Sequence, residues 1–410
     1  MRKSVVSFVC IIFLASFTPA QSQTQNDPLG RKGSPITTSV PFLLIAPDSR
    51  IGGMGETGAA VPDDANAQHW NPAKYLFSEK SFGLSFSYSP WLAGLGVNDI
   101  HLLYLSSYYH VTDMDAISFS LRFFSMGEME LTGPTGEHIK YEKPNEFAID
   151  AAYSRMLMQN ATNRLSMAVT GRFIYSKLSS YTNSGGSSDD IKAGVSGAAD
   201  VSLFYTKKLQ AGKLYEHNFN LGLNISNIGA KISYSSSLKR DFLPANFRLG
   251  IAYEMHFDKY NKLLFAFDIN KLLVTSPPIY QRDSMNAIVL GPDGEPIIEG
   301  RGRDPYKTTA AAAVFTSWGD APNGFAEEMK EFILNVGMEY AYNNLLFVRA
   351  GFFHEAQNKG NRRYMTFGAG IKYSIFAIDA AYILPVSSRN NPLEHTLRFS
   401  ISFELIPKKK

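Results

Sequence analysis

The sequence predicts an all-β membrane protein: a 14-stranded antiparallel transmembrane β-barrel with an N-terminal plug and long extracellular loops. The first reason is the alternation of polar and apolar residues between Ser81 and Leu405. In the segment 81–88, every second residue is aromatic or leucine, beginning with Phe82. A strand with one face toward lipid and the other toward a polar lumen has this pattern.

The second reason is the length of the alternating segments, since most are close to the ten or so residues that a tilted membrane strand needs. The predicted strands are 81–88, 100–109, 116–126, 146–156, 164–176, 197–208, 217–226, 246–256, 263–271, 332–342, 345–354, 363–373, 375–383 and 395–405.

The third reason is the length of the connections, which alternates along the chain. Connections after odd-numbered strands are mostly long, including 127–145, 177–196 and 274–331, whereas those after even-numbered strands are short, such as 343–344 and Ser374. Outer-membrane barrels divide external loops from periplasmic turns in this way. A soluble β-sandwich also has short alternating strands, but nothing in that fold separates its connections by parity. The pattern favours the barrel, with both chain ends in the periplasm.

The N-terminus has the organisation of a secretory signal peptide. Arg2 and Lys3 precede an apolar run over 5–17, and small residues lead to Ala20, where cleavage is expected. The single cysteine, Cys10, lies in this leader, so we expect no disulfide in the mature chain. The predicted organisation is a signal peptide (1–20), a flexible periplasmic start (21–39), an N-terminal plug (40–80), a transmembrane barrel (81–405) and a basic tail (406–410).

The segment before the first strand is rich in glycine and alanine and lacks strand alternation. We expect it to fold as a plug in the barrel, where glycines permit close backbone packing. The glycines are not followed by the Lys-Ser/Thr of a phosphate-binding loop. The residues assigned to the plug are Gly52, Gly53, Gly55, Trp70, Asn71, Pro72 and Ala73.

Charged residues of both signs lie on the strand faces opposite the apolar stripes, and we expect them to face the lumen because charge in lipid is costly. They are Arg122, Asp150, Arg172, Asp200, Arg248, Glu254, Asp268, Glu339, Arg349, Lys372, Asp379, Arg398 and Glu404. Two interpretations are open, a substrate path and a network that holds the plug. The near balance of signs favours the network.

Apolar residues in the predicted extracellular loops suggest a surface for a partner, although such loops can also pack on each other. The loop 274–331 is far longer than closure requires, and it contains a helix candidate at 325–332. The proposed partner-binding residues are Trp91, Leu92, Leu95, Val314, Phe315, Trp318 and Phe325.

No motif points to an enzyme. The eight histidines include no zinc-binding HExxH, and no GxSxG nucleophile elbow is present. We therefore expect no catalytic residue, no metal site and no cofactor. The net charge of +3 gives no reason to expect nucleic acid as a partner.

Several phrases distributed from the plug to the last strand carry a family resemblance. They include PFLLIAPDSRIGGMG (41–55), DDANAQHWNPAKY (63–75), SLRFFSMGEM (120–129), NISNIGAKISY (224–234) and NPLEHTLRFSISF (391–403). These phrases resemble the PorV (LptO) family of the Bacteroidetes type IX secretion system. That family resembles the broader FadL-like (FadL/TodX) group of fourteen-stranded barrels with an N-terminal plug. One departure is the tail 406–410, where an aromatic residue would be expected to end the chain.

The resemblance implies a role in protein secretion at the outer membrane. It implies binding of the C-terminal signal domain of cargo that leaves the SprA (Sov) translocon. It also implies delivery to an attachment complex of the sortase-like PorU with PorQ and PorZ, next to outer-membrane lipid and lipopolysaccharide. The alternative is a FadL-like transporter of long-chain fatty acids or other hydrophobic compounds.

Overall fold

A computed structural model describes most of the chain from Pro35 to Leu405. The described residues are 35–91, 99–132, 137–178, 192–211, 215–234, 240–281, 283, 287–300, 302–386 and 396–405. The predicted signal peptide (1–20), the tail (406–410), and Leu92 and Leu95 lie outside these residues.

Fourteen antiparallel strands close into a barrel, which confirms the predicted fold class. In chain order, the strands of the described chain are β1 (Phe82–Pro90), β2 (Ile100–His110), β3 (Asp115–Met126), β4 (Met129–Thr132), β5 (His138–Glu142), β6 (Asn145–Gln159), β7 (Asn163–Lys177), β8 (Gly194–Ala211), β9 (Tyr215–Gly229), β10 (Asn246–His256), β11 (Asn261–Leu272), β12 (Ile279–Tyr280), β13 (Ile298–Gly300), β14 (Ile333–Tyr342), β15 (Leu346–His354), β16 (Arg363–Tyr373), β17 (Phe376–Pro385) and β18 (Leu397–Leu405). The ring closes where β1 pairs with β18, from Phe82 opposite Leu405 to Tyr88 opposite Phe399. Outside the barrel, β4 pairs with β5 and β12 with β13.

Each predicted strand corresponds to an observed barrel strand, and the differences lie at the strand ends. The strand predicted at 197–208 extends over Gly194–Ala211, and that at 217–226 over Tyr215–Gly229. A bulge shifts the register of this pair between Ala199 and Val201. The two small hairpins are not predicted because strands outside the membrane have no lipid-facing stripe to reveal them.

The two ends of the barrel differ in the length of their connections. At the inner end, the strands are joined by 111–114, 160–162, 212–214, 257–260, 343–345 and 374–375. At the outer end, they are joined by 91–99, 127–144, 178–193, 230–245, 273–332, 355–362 and 386–396. This division follows the predicted parity, and it assigns the outer end to the extracellular side.

Residues along each strand alternate between the lumen and the outside of the wall. On β6, Asp150 is only 2% exposed, whereas its neighbour Ile149 is 47% exposed. The charged residues expected to face the lumen all occupy lumen-facing positions of their strands. Among the described residues, no helix is long and apolar enough to span a membrane.

The plug runs through the lumen from the outer to the inner end. Its elements are a 3₁₀ helix (Pro41–Leu44), two short α-helices (Ser49–Gly52 and Ala67–Trp70) and a second 3₁₀ helix (Pro72–Phe77). At the outer end, the Ser39 amide donates to the carbonyl of Phe242, at 3.0 Å. At the inner end, the Ser81 amide donates to Leu405 on β18, at 3.2 Å. The described part of the expected periplasmic start, residues 35–39, therefore lies at the outer end instead.

Side chains of the wall complete the hydrogen bonds of the plug backbone. The Asp268 carboxylate accepts from the amides of Gly58 and Ala59, at 2.8 and 2.9 Å. In the opposite sense, the Arg122 guanidinium donates to the Leu43 carbonyl, at 2.7 Å. Buried backbone groups need such partners, so the lumen charges act as the network that holds the plug.

Gly55 marks a point where the plug backbone touches the wall. Its φ of +66° lies in the left-handed region that side chains avoid. A Cβ at this position would lie 2.6 Å from the Phe352 amide nitrogen and the Val336 carbonyl oxygen. Both the backbone conformation and the space therefore require glycine.

Replacing Gly55 with alanine should destabilise the plug by at least about 1–2 kcal/mol, because the left-handed conformation alone costs that much. Limited proteolysis of the folded protein in detergent should then cut within 40–80 more rapidly than in the unmodified protein. Gly171→Ala is the matched control, because a Cβ there meets no atom within 4 Å. Equal protease resistance of the two variants would contradict the close contact.

Candidate functional site

A cavity of about 400 Å³ lies at the outer end, between the first turn of the plug and the rim of the barrel. Its apolar lining, which we call the apolar side, includes Ile36, Leu44, Ile45, Trp91, Leu272 and Ile333. Its polar lining, which we call the polar side, includes Glu56, Glu355, Lys359, Arg362, Tyr364 and Arg398. The cavity can therefore accept an apolar group together with a hydrogen-bonding group.

Most charges on the polar side are paired with each other. Glu355 receives two hydrogen bonds from Arg362, at 2.8 and 3.0 Å. Glu56 accepts from the Tyr364 hydroxyl at 2.9 Å and from Arg398 Nη2 at 3.2 Å. Arg398 is 1% exposed, and its Nε and Nη1 have no hydrogen-bond partner. This wall is nearly neutral, and Arg398 retains unused donors.

A buried group of charges holds the longest connection, 273–332, against the rim. Lys271 at the end of β11 contacts Glu328 at 2.7 Å and Glu331 at 2.5 Å. Lys359 contacts Glu331 at 3.0 Å and Glu327 at 2.7 Å. All five side chains are less than 10% exposed. We call this group, together with the neighbouring Asp320, the ion-pair anchor.

Asp320 is the carboxylate of the ion-pair anchor that has no cationic partner within salt-bridge distance among the described residues. Its Oδ2 accepts from the Ser276 amide at 3.2 Å, and its Oδ1 is buried without a hydrogen-bond partner. Burial raises the pKa of Asp320 to about 6, because the Ser276 hydrogen bond only partly offsets the loss of solvation. The carboxylates of Glu331 and Glu328 add to this rise.

Asp320, Glu328 and Glu331 each place a carboxylate oxygen within 4.8 Å of the other two, as the ligands of a metal ion would. The Lys271 ammonium, however, already lies within 2.7 Å of two of these residues. The cationic position in this cluster is thus taken by a lysine.

The outward face of the same connection is apolar. Phe315 on the helix Ala310–Thr316 is 80% exposed, and Phe325 at the start of the helix Phe325–Glu328 is 79% exposed. Trp318 is 44% exposed, and its indole donates to the carbonyl of the half-buried Val314, at 3.1 Å. Charges on the inside and aromatic rings on the outside reverse the usual arrangement for a loop in water.

The structure brings some of the sequence-derived residues together and separates others. The half-buried Trp91 lines the cavity, whereas Leu92 and Leu95 lie outside the described residues. Val314, Phe315, Trp318 and Phe325 form one region of the long connection. All seven residues assigned to the plug are buried in the lumen: Gly52, Gly53, Gly55, Trp70, Asn71, Pro72 and Ala73.

The ion-pair anchor is not among the sites that the sequence predicts. Its signal is present in the helix candidate, where Glu327, Glu328 and Glu331 recur at the spacing of one helical face. Acidic residues of a loop are normally expected in water, so the pattern alone does not reveal that this face is buried. The partner lysines come from other segments, Lys271 from the end of β11 and Lys359 from the connection 355–362.

The pKa of Asp320 predicts how the long connection responds to pH. The folded value of about 6 exceeds the ordinary 3.8, so its contribution to stability is complete below about pH 4 and is lost as the pH rises through 6. Hydrogen exchange of 302–332, corrected for intrinsic rates, should be slower at pH 5 than at pH 7. Asp320→Asn should remove most of this difference, while Asp293→Asn, an exposed control in the same connection, should retain it. Identical pH dependence in both variants would contradict the assignment.

Several solved structures have a fold similar to that of this chain, and two of them are described as toluene transporters. The Pseudomonas putida toluene transporter TodX is 12% identical, with a TM-score of 0.47, covering 90% of this chain and 100% of that one. The Ralstonia pickettii toluene transporter TbuX is 12% identical, with a TM-score of 0.46, covering 88% and 98%. A Pseudomonas aeruginosa FadL homologue is 14% identical, with a TM-score of 0.41, covering 91% and 99%. No curated protein sequence shows a significant match.

A protein-family model matches more than half of the chain. The model is described as type IX secretion system protein PorV, and it matches residues 30–279. The match includes the plug and the barrel wall as far as β11. The chain therefore belongs to the PorV family of outer-membrane β-barrel proteins of the type IX secretion system, which is not an enzyme family.

Proposed function

We propose that this protein is a shuttle that carries secreted cargo across the surface of the outer membrane. It binds the C-terminal signal domain of cargo as that cargo leaves the SprA (Sov) translocon. It then delivers the cargo to the PorU, PorQ and PorZ complex. A cleaved signal peptide over 1–20 brings the chain through the inner membrane.

The observation that carries this proposal is membership in the PorV family. The plug supports it, because it runs through the lumen between the two ends of the barrel and wall charges bind its backbone. The described barrel is thus organised to be rigid. The surface assigned to the partner lies at the outer end, where cargo emerges under this proposal.

The proposed cargo contact is the mouth of the outer cavity. Trp91 lines this mouth and belongs to the same connection as Leu92 and Leu95. Large aromatic side chains at the edge of a partly apolar cavity are favourable anchors for a protein partner. The other proposed partner-binding residues, Val314, Phe315, Trp318 and Phe325, lie on the longest connection.

Purification of the tagged protein from native outer membranes tests the shuttle directly. We expect a giant translocon barrel, a sortase-like protein and proteins sharing a C-terminal domain to be recovered with it by mass spectrometry. Recovery of the protein alone, with normal cargo display in a deletion strain, would contradict the proposal.

Trp91→Ala should weaken cargo recovery about tenfold or more, since loss of a central aromatic anchor typically costs at least about 2 kcal/mol. Tyr141→Ala is the matched control, because Tyr141 is a 59% exposed aromatic residue of the β4–β5 hairpin at the same end. Both variants must first show unchanged heat-modifiable migration, which reports a closed barrel. Equal cargo recovery from the two variants would remove the cavity mouth from the proposed contact.

One observation favours a second function, the uptake of hydrophobic compounds. The apolar side of the 400 Å³ cavity, with Leu44, Ile45 and Leu272, could hold part of an acyl chain. Under this alternative, the gently purified protein retains a fatty acid or a similar compound in native mass spectra. The deletion strain would then show an uptake defect and normal cargo display, the opposite of what the shuttle requires.

A further inference from the structure

The second short helix of the longest connection, Phe325–Glu328, and the turn that follows it are amphipathic in the inverted sense. Glu327, Glu328 and Glu331 face the protein and are 3–6% exposed. Phe325 and Met329 of the same segment face away and are 79% and 50% exposed. A helix is expected to have an apolar outer face and a charged inner face where the medium outside it is less polar than the part of the protein against which it packs.

The neighbouring helix shows the same preference in its composition. Residues 308–319 contain no charged side chain, although they belong to an extracellular connection. Phe315 and Trp318 of this segment are 80% and 44% exposed. We call Phe315, Trp318, Phe325 and Met329 the apolar flank.

The apolar flank is continuous with the lipid-facing wall. Trp318 packs edge-on against Phe247, with ring centroids 5.2 Å apart. Phe247 is the outermost residue of the outward stripe of β10, which continues through Leu249 and Ile251. The tryptophan therefore lies over the outside of the barrel.

Lys271 confirms that the connection folds over the outside of the wall. It pairs with Phe247 across the two strands and follows Ile269 on the outward stripe of β11. An exposed lysine on this stripe would face lipid, yet Lys271 is fully buried by the ion-pair anchor, with Trp318 and Phe332 beside its ammonium. The connection thus covers the outermost outward position of the wall at this point.

The next outward positions along the wall are open to the bilayer. Leu249 on β10 and Leu334 on β14 are 36% and 38% exposed. Two residues along a strand span about 7 Å, so Phe247, which Trp318 contacts, lies about that far along β10 from the first lipid-exposed row. Tryptophan and phenylalanine at this level are typical of the aromatic belt at a membrane interface.

We propose that the apolar flank binds the outer leaflet of the outer membrane, at the boundary between acyl chains and headgroups. The ion-pair anchor holds the second helix and its turn against the barrel, so that the aromatic rings of the flank enter this boundary while Glu327, Glu328 and Glu331 stay inside the protein. Tyr306 and Lys307 precede the helices, and Lys330 follows the second one; all three are exposed and suit contact with lipid phosphates. The proposal goes beyond the shuttle function and stands without it.

Tryptophan fluorescence tests the proposal, because the chain has three tryptophans and Trp70 is buried in the plug. The Trp91→Phe protein, in nanodiscs of phospholipids brominated near the headgroup end of their acyl chains, reports mainly on Trp318. We expect its emission to be lower than in nanodiscs of the same phospholipids without bromine, because an interfacial tryptophan lies beside the brominated segment. In the double variant Trp91→Phe/Trp318→Phe, the part of the emission that bromolipids quench should be absent.

Two results would overturn the proposal. One is tryptophan emission that aqueous iodide quenches and bromolipids do not. This result would place Trp318 in water and assign the apolar flank to a soluble partner. The other is equal bromolipid quenching with and without Trp318. Iodide protection combined with bromolipid quenching supports the outer-leaflet contact.

A photo-cross-linking residue at Phe325 in native membranes gives an independent measurement. We expect adducts with phospholipid or lipopolysaccharide. A matched probe at Leu290, 59% exposed in the same connection, measures the background of the label. A single protein adduct at Phe325, without a lipid adduct, would show that a protein partner covers the flank.

Discussion

The constraint on which the structure depends is the absence of water around the backbone of a strand in hydrocarbon. Each unpaired amide or carbonyl there costs several kcal/mol, so every barrel strand needs a partner on both sides. The pairing of β1 with both β2 and β18 satisfies this requirement by removing the edges of the sheet. Closure then divides the side chains of each strand between lipid and lumen.

The same constraint moves the charges of the wall into the lumen, where they need partners. Arg172 lies between Asp150 and Asp200, at 2.6 and 2.9 Å. Arg50 of the plug belongs to a second group of ion pairs, in which it contacts Glu339 of the wall at 3.1 Å. Breaking a buried pair by removing one partner typically costs about 3–5 kcal/mol. The plug is therefore a structural complement of the wall, which without it would expose unpaired charges.

The barrel could be predicted from sequence because lipid imposes a period of two over each strand. Leu263, Phe265, Phe267 and Ile269 of β11 show this period, and the strand is found where it is predicted. The loops have no such uniform surroundings. The burial of Glu327 and Glu331 depends on Lys271 and Lys359, which the fold brings from other segments. Lys271 is nevertheless a visible exception, since it places a charge at the end of the lipid-facing stripe.

That exception also explains why the longest connection is built as it is. A lysine at the outer rim must be covered, and the carboxylates that cover it leave the opposite face of their helices without charge. Glu327 lies on the inner face and Phe325 on the outer, two residues apart in one short helix and therefore on opposite sides of it. If the apolar flank binds the outer leaflet, the rule that arranges the wall extends to its longest loop: apolar groups outside and charges within. The outer cavity would then open to the cell exterior beside a loop that is fixed at the membrane surface. A partner that enters the cavity would therefore meet a barrel rim held at a fixed distance from the membrane.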